Sequence, residues 1–161
     1  MKYIYIILLL FTAGSCKKSN TAPLELVEQF VKEVKAERYE EIMLPEFDAS
    51  HIDALMRHAS DNQIVTMYPH PSYSSYYGGP IEVGLVMLYT IEAVRLQVEW
   101  PSSTVRVFDE QDLSREVPLS EVLPYYKDWW AENEGKSPSE LMEADPLEGS
   151  GLTWHIYTTG E

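Results

Sequence analysis

Apolar residues along the chain recur at helical spacing, broken by prolines, glycines and short polar runs. Leu24, Val27, Phe30, Val31 and Val34 follow one another at intervals of 3, 3, 1 and 3, with Glu25, Glu28, Lys32, Glu33 and Lys35 between them. That spacing predicts an amphipathic helix to about Arg38, capped by Thr21 and tolerating Pro23 in its first turn. Tyr39 to Leu44 is expected to add another turn or two before Pro45. Ile52, Leu55, Met56 and Ala59 fall at i, i+3, i+4 and i+7 behind Asp48 or Ser50, either of which can serve as N-cap, and Asp61 and Asn62 end the run. Ile64 to Tyr68 reads as a short apolar bridge.

From Ile81 to about Val98, "IEVGLVMLYTIEAVRLQV" is apolar on almost every face, the mark of a helix surrounded by other elements. Glu92 and Arg95 interrupt it at i, i+3; removing such charges from water is costly unless they are paired, so they predict either a structural ion pair or, with Arg95 free, an anion site. Val105 and Val107 alternate long enough for one short strand or an extended connection. Leu119, Val122, Leu123, Tyr126 and Trp130 define a helix to about Glu134, with Pro124 in an early turn or at a kink. Ser137 to Ala144 is a short capped helical stretch, followed by a Gly-rich loop and a terminal strand. The expected fold is mainly α: a single compact helical domain over residues 24–161, of about five helices in a bundle or short HEAT-like stack, with at most one or two short strands.

The first residues, "MKYIYIILLLFTAGSC", place Lys2 before an apolar run from Tyr3 to Phe11 and then small residues before Cys16. The run is well short of the roughly 20 residues that span a bilayer, so residues 1–15 are expected to be an export signal. Small residues immediately before cysteine resemble the lipobox of bacterial lipoproteins, which implies cleavage before Cys16 and lipidation of its thiol. Residues 16–23 would then be the lipidated cysteine and a polar tether. An ordinary signal leaving a free thiol is the alternative. Cys16 is the sole cysteine, so no intramolecular disulfide can form and the apolar core must suffice.

Charge narrows the partners. Twenty-six acidic residues against twelve basic ones give a net charge of −14, a field that repels nucleic acid. Twelve of the acids lie between Asp109 and Glu148, the pattern of a solvated helical surface. His51 and His58 stand two turns apart with Asp61 beyond them, a wider spacing than helical zinc sites use, while His70 and His155 have no evident partner. No hydrolase, nucleotide or calcium motif is present, so neither metal, cofactor nor catalytic residue is assigned. The stretch "PHPSYSSYYGGP" places Tyr73, Tyr76 and Tyr77 in a segment that is either a packed inter-helix connection or an aromatic ligand surface. Of the adjacent Trp129 and Trp130, about 100° apart on a helix, one is expected in the core and the other at a partner surface; Trp129 is the candidate for the surface.

The order "LPEFDASHIDALMRHASDNQIVTMYPHPSYSSYYGGPIEVGLVMLYTIEAVRLQ", then "PSSTVRV" and "YYKDWW", resembles uncharacterised Bacteroidetes lipoproteins carrying a domain of unknown function, over residues 43 to 132. Pro69, His70, Pro71, Ser72 and Tyr73 stand where those proteins have Asn-Pro-Ile-Ser-Ser, and Ile81 to Gly84 where Arg-Leu-Gly is usual, which removes the Asn and Arg otherwise suited to binding. The resemblance implies a helical lipoprotein and brings no activity with it. Together these features predict a non-enzymatic module of the bacterial cell envelope. It is held to a membrane by its N-terminal lipid, on the periplasmic side of the outer membrane given Lys17 and Lys18, and binds an envelope protein or a glycan. The rival expectation is an envelope hydrolase working through carboxylates or histidine.

Overall fold

The computed structural model describes residues 23–39, 43–71 and 79–154. In chain order it contains α1 (Pro23–Lys35), a 3-10 turn (Ala49–His51), α2 (Ile52–His58), β1 (Ile64–Val65), β2 (Ile81–Glu82), α3 (Val83–Leu96), β3 (Val107–Asp109), β4 (Asp112–Val117), α4 (Leu119–Asn133), α5 (Pro138–Glu143) and β5 (Leu152–Trp154). Among the described residues, five α-helices and five strands make this a mixed α/β fold, which corrects the expectation of a mainly helical bundle or HEAT-like stack with at most one or two strands. The strands escape a pattern search because they are too short to alternate. β1 and β2 have two residues each, and β4 exposes every residue but Val117.

α3 is the hub. Every residue from Val83 to Ala93 is buried, as is Arg95, and α1, α2, α4 and α5 all pack against it. Its expected first residues, Ile81 and Glu82, instead pair antiparallel with β1 in the register Ile64 with Glu82 and Val65 with Ile81. Gly84 allows the closest approach of α3 to α2, its N–H donating to the Asp61 carbonyl at 2.7 Å. Two polar contacts tie α1 to the end of α2, from Lys35 to Asp61 (2.5 Å) and from His58 to Glu28 (3.0 Å). α1 stops at Lys35, and Tyr39, Met43 and Leu44 lie outside any helix, so the extra turn expected there does not continue through them.

In the second half of the chain, β3 is the centre of a three-stranded antiparallel sheet of order β4-β3-β5. Val107 pairs with both Val117 and Trp154, and all three side chains are buried. The β3–β4 turn is fastened by Asp109 Oδ1, which accepts the Gln111 N–H at 2.8 Å. Pro124 sits inside α4 without ending it. No helix among the described residues is long and apolar enough to cross a membrane.

Candidate functional site

Where the C-terminal half of α3 meets the Met43–Ala49 segment and the start of α5, a cavity of about 540 Å³ opens. α3 supplies its floor through Ala93 and Val94, with Thr90 beside them and Gln97 and Val98, just past the helix end, at the edge. Leu44, Phe47, Pro138 and Leu141 form the apolar walls, and Glu46, Asp48 and Glu99 complete the lining. The volume falls in the range of small-ligand and side-chain-binding clefts, roughly 300–1,000 Å³. Apolar surface continues past the cavity: Met43 and Val98, both lining residues, are 54% and 45% exposed.

One wall is set by a capping box. Asp48 accepts the Ser50 N–H at 2.9 Å, and the Asp48 N–H points at His51 Nδ1 at 3.2 Å. The Ser50 hydroxyl, with His51 beside it, holds the Asp48 carboxyl below the usual carboxylate range. Phe47 packs edge-on to Phe30 of α1 at 5.6 Å and leans on the His51 ring at 4.8 Å, so the segment is clamped to the core.

The opposite wall hangs on a buried polar network. Arg95 donates to Glu92 at 2.7 Å and to the Met142 carbonyl of α5 at 2.9 Å. Tyr126 of α4 donates to the other Glu92 oxygen at 2.7 Å and accepts from Trp154 Nε1 at 2.8 Å. Burial pushes the Glu92 carboxyl up despite Arg95, and burial beside Glu92 pushes the Tyr126 phenol well above 10. Of the two readings open for this ion pair, the structural one holds: the Arg95 guanidinium is consumed by Glu92 and by α5, and positions a wall of the groove.

Among the sequence candidates, Cys16, Tyr73, Tyr76 and Tyr77 lie outside the described residues, as does His155. Trp129 is buried, 6% exposed, with Nε1 donating to the Ala144 carbonyl at 2.8 Å; its neighbour Trp130 is the half-buried one, stacked at 5.7 Å. His51 is buried against Asp48, His58 faces Glu28, and Asp61 is taken by Lys35, so the three do not converge. His70 turns to the Pro71 carbonyl. No group of three or more His, Cys, Asp or Glu among the described residues is placed to hold a metal ion.

Asp48, Ser50 and His51 have the residue types of a hydrolytic triad but not its geometry. Ser50 Oγ lies 2.5 Å from Asp48 Oδ1 and 3.5 Å from His51 Nδ1, on the ring nitrogen facing the acid. Nε2, the nitrogen that would activate a nucleophile, is buried without a partner. What the site offers is an apolar trough with carboxylates at its edge. The sequence pointed to its parts only through ordinary core-type residues, and nothing in their spacing marked a groove.

A family model described as a domain of unknown function, DUF4943, matches residues 22–155, and the chain belongs to that family. No curated protein and no solved structure matches it.

Proposed function

We propose that this DUF4943 protein is a lipid-anchored binding module of the bacterial cell envelope that seats an apolar portion of its partner in the groove between α3, α5 and the Met43–Ala49 segment. The observation that carries the reading is the groove itself: apolar on floor and walls, anchored on both sides by hydrogen-bonded polar clusters, and continuous with exposed Met43 and Val98. Such pre-organisation reduces the ordering cost of binding. Anchoring rests on the small residues before Cys16, whose acyl chains would contribute about 0.8 kcal/mol per buried CH2. Lys17 and Lys18 favour the periplasmic face of the outer membrane. Tyr73, Tyr76 and Tyr77 are a second contact in this reading, a set of rings for a protein surface or a sugar.

Two measurements in cells test it. A photo-crosslinking residue at Val98 is expected to trap an envelope component that the same residue at exposed Lys127 does not. Labelling with a clickable fatty acid is expected to depend on Cys16. Equal trapping at both positions refutes the groove, and labelling that survives Cys16→Ser refutes the anchor.

A further inference from the structure

We infer that the groove's occupant is a polypeptide segment with an apolar face flanked by lysine or arginine, an inference that rests on the groove being the binding site. Every charged residue lining the cavity is acidic: Glu46, Asp48 and Glu99. Asp48 is engaged in the capping box with Ser50 and His51. Glu46 and Glu99 are different, since no hydrogen bond or ion pair among the described residues engages either carboxylate.

The end of α3 adds to this field. The helix runs 14 residues and terminates at the groove, where its C-terminal carbonyls carry the negative end of the macrodipole, worth about half an elementary charge. The usual compensating cation of a last turn, Arg95, is bound to Glu92 instead. At the α5 side, Lys136 donates to Asn133 Oδ1 at 2.8 Å, and the first turn of α5 is closed by the Ser137–Glu140 capping box. An anionic ligand such as a fatty acid would therefore meet negative potential at the rim, whereas a cationic flank would find two unpaired carboxylates.

A macromolecular segment fits better than a small amphiphile because the apolar surface runs beyond the concavity. Met43 on one lip and Val98 on the other are each about half exposed, and Met142 of α5 is 40% exposed. Met43 at the lip supplies adaptable contact area for side chains of varied shape. An amphipathic helix presenting residues at i, i+4 and i+7 is one form that would fill such a trough and extend over its edges.

The test uses the lipidated protein in phosphatidylcholine nanodiscs, with empty nanodiscs as blank. Two fluorescein-labelled 14-residue peptides carry leucines at positions 4, 7, 8 and 11, one with lysines at both ends and one with glutamates there. Anisotropy at about 50 mM salt should show the lysine peptide binding at least tenfold tighter, an advantage that narrows as salt shortens the screening length. The double variant Glu46→Gln/Glu99→Gln should weaken the lysine peptide about three- to tenfold and leave the glutamate peptide no weaker. Val98→Asp, at a residue nearly half exposed, should weaken the lysine peptide tenfold or more even though it adds negative charge.

Equal affinity for the two peptides, with both lost in Val98→Asp, overturns the cationic occupant and leaves the groove reading standing. Lysine-peptide binding indifferent to both variants is attraction to an acidic protein at large and overturns both. Failure of the lysine peptide to bind overturns the inference, as does self-association abolished by Val98→Asp, which would assign the groove to a second copy.

Discussion

Replacing Tyr126 by Phe removes a single oxygen from the centre of the buried network while keeping the ring that packs on Trp129 and Trp154's neighbourhood. That oxygen serves two groups: it donates to Glu92 at 2.7 Å and accepts from Trp154 Nε1 at 2.8 Å, and the phenol is fully buried. A hydrogen bond to a charged acceptor contributes about 1.5–3 kcal/mol, and a buried donor left unpaired costs about 1–3 kcal/mol. Because Arg95 still holds Glu92, the two losses are not fully additive, and the expected destabilisation is about 3–5 kcal/mol, a large share of the roughly 5–15 kcal/mol that holds a domain folded. At about 3 °C per kcal/mol for a chain of this size, Tm should fall by about 10 °C or more. Urea unfolding followed by circular dichroism measures it, with Tyr125→Phe as the exposed control, expected within about 0.5 kcal/mol of wild type. Adding Trp154→Phe to Tyr126→Phe removes the orphaned donor, so the double variant should be less destabilised than the sum of the singles by about 1–3 kcal/mol. A Tyr126→Phe protein as stable as wild type, or a strictly additive cycle, would refute the network as a structural anchor.

Other substitutions test other joints of the fold. Gly84→Ala should destabilise by about 1–3 kcal/mol, although the same change in an open helix stabilises by about 1 kcal/mol, because the new Cβ would meet Leu119 Cδ2 and stand 2.5 Å from the Ala59 carbonyl oxygen; thermal melts give the sign. Gln97 closes α3 in the left-handed region at φ 54°, so Gln97→Gly should raise stability by about 0.5–1 kcal/mol in urea titration. Burial alone would raise the Asp61 carboxyl, but the hydrogen bonds from Lys35 and the Gln63 N–H outweigh it and hold it below 3.8. A carboxylate depressed in the folded state contributes stability above its unfolded value that is lost as pH falls through the folded one; wild type should therefore lose stability below about pH 3.8 more steeply than Asp61→Asn, by about 1 kcal/mol in acid titration followed by fluorescence.

Residues whose environment is decided within one turn of helix were legible in the sequence. The apolar stripe Val27, Phe30, Val31 and Val34 is the buried face of α1, and the Glu92–Arg95 pair follows from the cost of burying either charge alone. Of the two candidate caps, Asp48 and Ser50, Asp48 closes the 3-10 turn that leads into α2, whose own N-cap position is taken by His51. Features decided by distant partners were not. β4 has an exposed face in five of its six residues, so its place in a sheet depends on Val117 and on backbone bonds to β3, neither of which leaves a periodic trace. Trp129 and Trp130 are alike in local sequence, and Trp129 became the buried one because α4 turns it toward the Ala144 carbonyl at the end of α5. The groove draws on three separated segments, and Ala93 and Val94 read along the chain as further core.

The groove nonetheless follows from an element-length mismatch that the fold itself imposes. An apolar helix such as α3 demands cover on every side, and its 14 residues span about 21 Å. α5 has six residues, about 9 Å of helix, so it shields less than half of that length on its side. α1, α2 and α4 also pack against α3. What remains beside the last turns of α3 is left to the irregular Met43–Ala49 segment, whose Pro45 and capping box keep it from becoming a helix that could lie flat against α3. Arg95 then fixes α5 where it is by gripping its Met142 carbonyl, so the short helix cannot slide to close the gap. The apolar surface beside the last turns of α3 is thus left uncovered because hydrogen-bonded clusters on both sides hold its walls apart.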